Sequence, residues 1–495
     1  MNLLKKIPFF LLLLVLFFCL HGSVENYGYL NLSEVVQVGL VAMLCIALFF
    51  ALTWLITKNY LFAALVTFFI ALWYLFFGAI HDLIKSTYFL NFLHSYTIII
   101  PALLVFNVLV IWLLKRSKHL HQKLALYLNV LFILFCISDL VLLISKKINY
   151  KEITAANPLP FNQSKVTQKP NVYFLLFDEY AGYKSLQDSF GFKNDSLYHF
   201  LQQQQFKELP TFANYDFTPF SISSILNMQY VPENYTKQSL TQPDIQNRFG
   251  EIRNAQVPAI FKLMGYKIEN YSIFDFKNEP ALSQTNGLFP IHAALLTNKI
   301  FHKRLLKDIG WWFVTGRFQI PFLKKYILYK GDAYNKLVAK KVIQTAATKF
   351  QQPVFCYGHF FLPHSQYFRD STGAFNTPEK LSDLYNKSLY LSYLKYTNTV
   401  IQNLVKNITA TDSGAIIIIM SDHGFYDYLS AGEYDPLNFN NICFVKLPVA
   451  TPDTANLPKS NVNFFRYLFN AGYGQSFPYL KDSTVFVIED PAVLR

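Results

Sequence analysis

Five stretches in the first 145 residues are too apolar for water, and they set what this chain can fold into. They cover about residues 7–21, 34–56, 60–80, 95–114 and 124–145. The last four run to about 20 residues each, enough to carry a helix across a bilayer's hydrocarbon core. A helix also satisfies its own backbone polar groups, as lipid demands. The first stretch, IPFFLLLLVLFFCL, is shorter and follows Lys5 and Lys6. It has the look of a signal peptide, but no small-x-small cleavage site follows, so it reads as an uncleaved helix. The chain as a whole is 52% hydrophobic and only 15% charged, a membrane-type balance.

Basic residues orient such a bundle. Lys5 and Lys6 put the N-terminus in the cytoplasm, and Lys115, Arg116, Lys118 and Lys123 do the same for the loop before the fifth stretch. The loops at 22–33 and 81–94 are poor in Lys and Arg. Five crossings then place everything after residue 145 outside, although Lys146, Lys147 and Lys151 run against that assignment. Asp139 reads as interfacial. The net charge of +13 has the sign for nucleic acid. No basic stripe with interleaved aromatics accompanies it, so no nucleic-acid partner is expected and an anionic lipid headgroup fits better. The five cysteines show no CxxC or Cys/His spacing for zinc or redox work. A Cys356–Cys443 disulfide is the less favoured reading.

Residues 146–170 are polar, carry Asn157-Pro158 and Pro160, and read as a linker. A parallel α/β pattern follows over 171–495. The run NVYFLLF at 171–177 suits a strand buried on both faces and ends at Asp178. Strands are also expected at 266–274, 353–361, 415–420 and 441–447, with helices at 192–205, 256–265, 384–407 and 464–469. The alternation implies a doubly wound, mostly parallel sheet. The stretch 285–345 is the least readable and is taken as a helical insertion.

Sites in open α/β sheets gather at the carboxyl ends of strands. Asp178 ends the first strand, Asp422 and His423 end AIIIIM, and His359 and His364 follow PVFCYG. Thr218-Pro219 reads as a helix start, with Thr218 as N-cap. A threonine hydroxyl is a weak nucleophile that needs a metal or base. Asp178, Asp422 and His423 can hold one divalent ion, with the Thr218 oxygen completing the set. Such mixed ligation favours zinc or manganese, with magnesium possible. Ser221 and Ser223 are alternative nucleophiles. Asn214 and Asp216 either bind phosphate or pack a loop. His199, His292 and His302 read as surface residues.

The runs VYFLLFDEY, ANYDFTPFSISSILNM, GHFFLPH and IIIIMSDHG together resemble the membrane-bound sulfatase-like proteins of the alkaline phosphatase superfamily. That group includes lipoteichoic acid synthase and the phosphoethanolamine and phosphoglycerol transferases, and the resemblance spans about residues 170–490. It implies metal ligation by Asp178, Thr218, Asp422 and His423, with Thr218 as nucleophile. It also implies phosphate binding by His364, with His359 and Asn214 as further substrate-side candidates. Lipoteichoic acid synthase-like enzymes have Glu at the first acid. Here Asp178 and Glu179 are adjacent, and adjacent strand residues face opposite ways, so only one is expected to serve.

Two absences narrow the chemistry. Formylglycine sulfatases need C-x-P-x-R or S-x-P-x-R at the nucleophile, and Thr218-Pro219-Phe220-Ser221 is neither. No histidine follows His423, which points to a single metal rather than two. The resemblance therefore implies transfer of a phospho-headgroup from a membrane phospholipid to a glycan or lipid acceptor through a phosphothreonine. It places the protein in a bacterial inner membrane with its catalytic domain outside the cytoplasm. A phosphatase or phosphodiesterase using water is the alternative, and an inactive membrane protein is a third reading.

Overall fold

The computed structural model describes residues 2–149, 153, 158–231, 242–282, 293–314, 330–384, 386–425, 436–448 and 456–487. The chain divides into two compact units: Met1–Lys151 with Asn286–Trp312, and Glu152–Thr285 with Phe313–Arg495.

In the first unit the apolar stretches are helices α1 (Phe10–Glu25), α2 (Leu32–Thr57), α3 (Tyr60–Ser86), α4 (Tyr96–Arg116) and α5 (His121–Asn149). Four spans, Leu32–Thr57, Tyr60–Ser86, Tyr96–Arg116 and Lys118–Asn149, are long and apolar enough to cross a membrane. Helix α1 has 16 residues and falls short of that length. Its start is held by a buried polar group: Asn129 of α5 accepts from Phe10 N at 2.6 Å and donates to Leu4 O and Ile7 O at 2.7 and 2.8 Å. An amide in an apolar bundle needs such partners. Asp139 is buried within the bundle, with Oδ2 3.3 Å from His21 Nδ1 of α1.

The segment left unread in the sequence supplies part of this unit. Ala293, Leu296 and Ile300 join its apolar core. The catalytic stretch expected over 171–495 is therefore interrupted, and 286–312 belongs with the apolar helices. His302 is exposed, as expected of a surface residue, and bonds through Nδ1 to Tyr74 OH at 2.8 Å. Residues 146–149, taken as linker, extend α5.

The second unit is built on a six-stranded sheet in the order β2-β6-β5-β1-β4-β3. The strands are β1 (Val172–Phe177), β2 (Lys207–Glu208), β3 (Lys267–Tyr271), β4 (Val354–Phe360), β5 (Ile416–Met420) and β6 (Cys443–Lys446). β5, β1, β4 and β3 run parallel; β6 is antiparallel to β5, and β2 to β6. β1, β4 and β5 are buried along their whole length, as their unbroken apolar runs require. Helices α6 (Thr218–Asn227), α7 (Gln256–Leu263) and a late helix (Phe464–Tyr473) cover one face, packing on Phe174, Phe355 and Ile418. On the other, Gly358 lets Val342 of a helix at Lys330–Ala347 approach: a Cβ there would lie 3.0 Å from Val342 Cγ2.

Residues 158–170 are a strap rather than a free linker. Leu159, Phe161 and Val166 pack on the core, and Gln475 bonds both Asn162 N and Asn162 O at 2.9 Å. Cys356 and Cys443 are free. They lie on strands three spacings apart, about 14 Å, beyond disulfide reach.

Ile418 is fully buried at the centre of the sheet. Ile418→Ala should cost about 2–5 kcal/mol and lower the thermal unfolding midpoint. An unchanged midpoint would contradict this packing.

Candidate active site

The parallel register sets the site. Leu176 of β1 lies beside Met420 of β5, so Asp178 and Asp422, each two residues further on, emerge side by side. β4 borders β1 on the other edge, with His359 beside Leu176, and Asp178 N donates to Phe360 O at 2.9 Å. Thr218 begins α6 as its first helical residue, one place later than the expected N-cap.

Four side chains meet. Thr218 Oγ1 is 3.5 Å from Asp178 Oδ1 and 3.4 Å from His423 Nε2. His423 Nε2 is 3.7 Å from Asp178 Oδ1 and 3.5 Å from Asp422 Oδ2. A buried carboxylate–imidazole pair bonding directly would close to about 2.7–2.9 Å. A tetrahedral ion with bonds of about 2.0–2.2 Å instead holds its donors roughly 3.3–3.6 Å apart. Three of the four observed spacings fall in the second range, and the fourth, 3.7 Å, lies just beyond it. Asp422 Oδ2 is buried without a hydrogen-bond partner among the described residues, which again suits a cation. His423 Nδ1 donates to Gly424 O at 2.8 Å, turning Nε2 inward. The residues present fit one divalent ion, held by Asp178, Asp422 and His423.

The charges are strongly coupled. Burial opposes charge on Asp178, but His364, His359 and His423 outweigh it and hold the carboxyl down at about 2. Burial, then the charge on Asp178, push Asp422 up. Burial opposes a proton on His423, yet Asp422 and Asp178 raise it to about 9. His364 is raised as well: burial opposes this, and Asp178 and Glu179 overcome it.

Asp178 and Glu179 divide the work. Glu179 lies past the strand in a left-handed turn, φ 62°, which ends the alternation expected of a strand. The turn is held by Glu179 N to Asp422 Oδ1 at 3.2 Å, Tyr180 N to Ser421 Oγ at 2.9 Å and Tyr390 OH to Glu179 O at 2.8 Å. Glu179 Oε2 then lies 4.0 Å from His364 Nε2, while Asp178 faces the metal group. Of the two acids only Asp178 joins the candidate metal group, as expected of adjacent residues, while Glu179 is turned towards His364. Ser421 and Tyr390 went unnoticed in the sequence; the serine before Asp422-His423 was the available signal.

Other candidates take different roles. His359 is fully buried, with Nε2 3.5 Å from Asp178 Oδ2 and Nδ1 3.1 Å from Tyr357 OH, so it supports Asp178 rather than meeting substrate. Asn214 is an anchor: Oδ1 accepts from Val462 N at 2.7 Å, and Nδ2 donates to Ser483 O and Tyr230 OH at 2.8 and 3.1 Å. Its amide has no donor left for a phosphate. Asp216 likewise holds Val487 N at 2.7 Å. Ser221 donates to Asp422 O at 2.6 Å and Ser223 to Glu251, so neither hydroxyl faces the metal group. The loop bearing His364 is pinned by Asn335, which accepts from Phe361 N at 2.8 Å and donates to Phe361 O at 3.1 Å. Asn335 lies in the stretch the sequence left unread.

Metal-assisted chemistry on an ester is the class of reaction this geometry fits. Residues 167–442 match the family model described as sulfatase, more than half of the chain, and the chain belongs to the sulfatase family, a family of enzymes. Among solved structures it is similar to the C-terminal periplasmic domain of EcEptC from Escherichia coli. Identity is 10%, with 64% of this chain and 86% of that one covered, at a TM-score of 0.39. The periplasmic domain of the phosphoethanolamine transferase EptC from Campylobacter jejuni gives 11%, 65%, 92% and 0.33. BT1596, a 2-O GAG sulfatase, gives 10%, 63%, 72% and 0.36. Among curated proteins no sequence matches significantly.

Two outcomes follow. A Cβ on Gly424 would lie 2.5 Å from Asn440 O and 2.8 Å from Asn438 O and Leu437 O. Gly424→Ala should therefore displace His423 and weaken zinc binding at least about tenfold in calorimetry; unchanged affinity would contradict the packing. A metal must also displace the His423 proton, so affinity should rise about tenfold per pH unit from 7 towards 9. A flat profile would contradict the assignment.

Proposed function

We propose that this chain transfers a phosphoethanolamine- or phosphoglycerol-type headgroup from a membrane phospholipid to a hydroxyl of a glycan or lipid. Thr218 is the nucleophile and carries the group as a phosphothreonine ester. The observation that supports the reading best is the spacing of 3.4–3.7 Å around His423 and Thr218, with the hydroxyl as one corner of the metal group. Thr-Pro-Phe-Ser at 218–221 lacks the formylglycine motif, which favours a phosphate ester over sulfate-ester chemistry of that type.

Asp178, Asp422 and His423 would hold one divalent ion with the Thr218 oxygen, zinc or manganese by ligand type. Such an ion supplies Lewis-acid charge neutralisation on the phosphoryl oxygens. Thr218 begins α6, so the positive end of the helix dipole faces the incoming phosphate. His364, half-buried, with Asp178 and Glu179 favouring its protonated form, donates Nε2–H to a phosphoryl oxygen. Thr218 Oγ forms the new bond to phosphorus as the bond to the diacylglycerol oxygen breaks. The Thr218 hydroxyl gives up its proton in this step and the departing oxygen takes one up, so diacylglycerol leaves as the alcohol. The acceptor hydroxyl oxygen then bonds to phosphorus as the Thr218 Oγ–phosphorus bond breaks, and its proton goes over to restore the Thr218 hydroxyl. His359 and Tyr357 keep Asp178 oriented throughout.

The protein resides in a bacterial inner membrane with its catalytic unit outside; a cytoplasmic N-terminus then requires the 16-residue α1 to cross as a fifth span beside the four longer helices. The tether to a lipid-embedded unit raises the effective concentration of a lipid donor. Intact-mass analysis of the full chain incubated with phospholipid should reveal a headgroup adduct on Thr218. Thr218→Ala should abolish that adduct and cut turnover at least about 10³-fold. An adduct that survives in Thr218→Ala would overturn the nucleophile. Release of free headgroup phosphate with no modified acceptor would replace transfer by hydrolysis.

A further inference from the structure

The sheet of the second unit is interrupted between β3 and β4 by a segment that belongs to the membrane unit. Gly78 N of α3 donates to Lys299 O at 2.7 Å, and a Cβ on Gly78 would lie 2.8 Å from Lys299 Cα, so glycine permits a backbone-to-backbone contact. Phe301 packs on Phe77 with ring centroids 4.8 Å apart. It also meets Trp73 at 5.5 Å. The helix Phe301–Val314 then turns one face to α3 and α4. Arg304 bonds Asp82 Oδ1 at 2.5 Å and Asp308 Oδ2 at 2.8 Å, and Asp308 accepts from Tyr96 OH at 2.5 Å.

These contacts run along α3 from Trp73 to Asp82, about 14 Å of helix. Helix α3 is one of the four long enough to span a bilayer, so the segment follows a membrane helix well below its end at Ser86. The face turned away from α3 and α4 carries exposed Leu306 and Lys307, with Leu306 41% exposed. Basic residues beside an exposed leucine fit the boundary between headgroups and acyl chains. The neighbouring turn between α3 and α4 adds Tyr88, Phe89 and Phe92, 98%, 72% and 68% exposed. An aromatic patch of that size suits a membrane interface and is out of place in water.

We propose that residues 293–310 form a second lipid anchor, an interfacial element that lies among the phospholipid headgroups. Leu306 enters the acyl boundary, and Lys303 and Lys307 face lipid phosphates. The anchor rests on the membrane reading of the first unit and goes beyond the reaction. It gives the catalytic sheet an attachment to the bilayer interface from within its own β3–β4 crossover, in addition to the connection at residues 151–152.

The test uses the full chain on a Cys45→Ser background, the other four cysteines being buried. Leu306→Cys carries an environment-sensitive fluorophore and is reconstituted into phosphatidylcholine–phosphatidylglycerol vesicles containing spin-labelled lipids. Val105→Cys on α4, 59% exposed, is the reference for a spanning helix. The Leu306 label should be quenched about twofold more strongly by a spin label near the headgroup than by one deep in the acyl chain, and the Val105 label in the reverse order. Quenching at Val105 with none at Leu306 would overturn the anchor alone. No lipid quenching at either site would overturn the membrane reading of the first unit, and the anchor with it.

Discussion

Two carboxylates, Asp178 and Asp422, are buried at the ends of adjacent parallel strands, and the rest of the catalytic unit is arranged around that fact. Uncompensated, such a pair would be very costly. His423 and His359 on either side, the turn at Glu179 and the hydroxyl of Thr218 all bear on the same small volume. The spacings among Asp178, Asp422, His423 and Thr218 are too long for direct hydrogen bonds between imidazole and carboxylate and suit donors that share a cation. The strain of a left-handed glutamate belongs to the same arrangement: it frees Asp178 for the metal group and turns Glu179 towards His364.

The supports of the site come from distant parts of the chain. Ser421 and Tyr390 hold the turn after β1, and Asn335 holds the loop after β4. The helix carrying Asn335 is the next described element of the chain after the segment that belongs to the membrane unit. One stretch of sequence between β3 and β4 thus contributes to both units. This explains the low exposure of Leu296 and Ala293, which face an apolar bundle rather than the sheet.

Much of this was legible in the sequence because the signals were local. The run AIIIIM can only be a strand buried on both faces, and Asp422-His423 must then stand at its end. Thr218-Pro219 marks a helix start whatever surrounds it. The failures have equally physical causes. Asn214 sits close to Thr218 in sequence, yet its amide is taken up by Val462, Ser483 and Tyr230, partners more than 15 residues away that no local pattern announces. The strap at 158–170 looks polar, but Leu159, Phe161 and Val166 are enough to seat it. The segment 286–312 has an ordinary helical pattern, and nothing local says which apolar surface will receive it.

X-ray absorption at the metal edge of the zinc-loaded full chain tests the central claim most directly. The account predicts one ion per chain with a first shell of oxygens and a single imidazole, and no sulfur. Two or more imidazoles, sulfur ligation, or a spectrum unchanged by Asp422→Ala would contradict it.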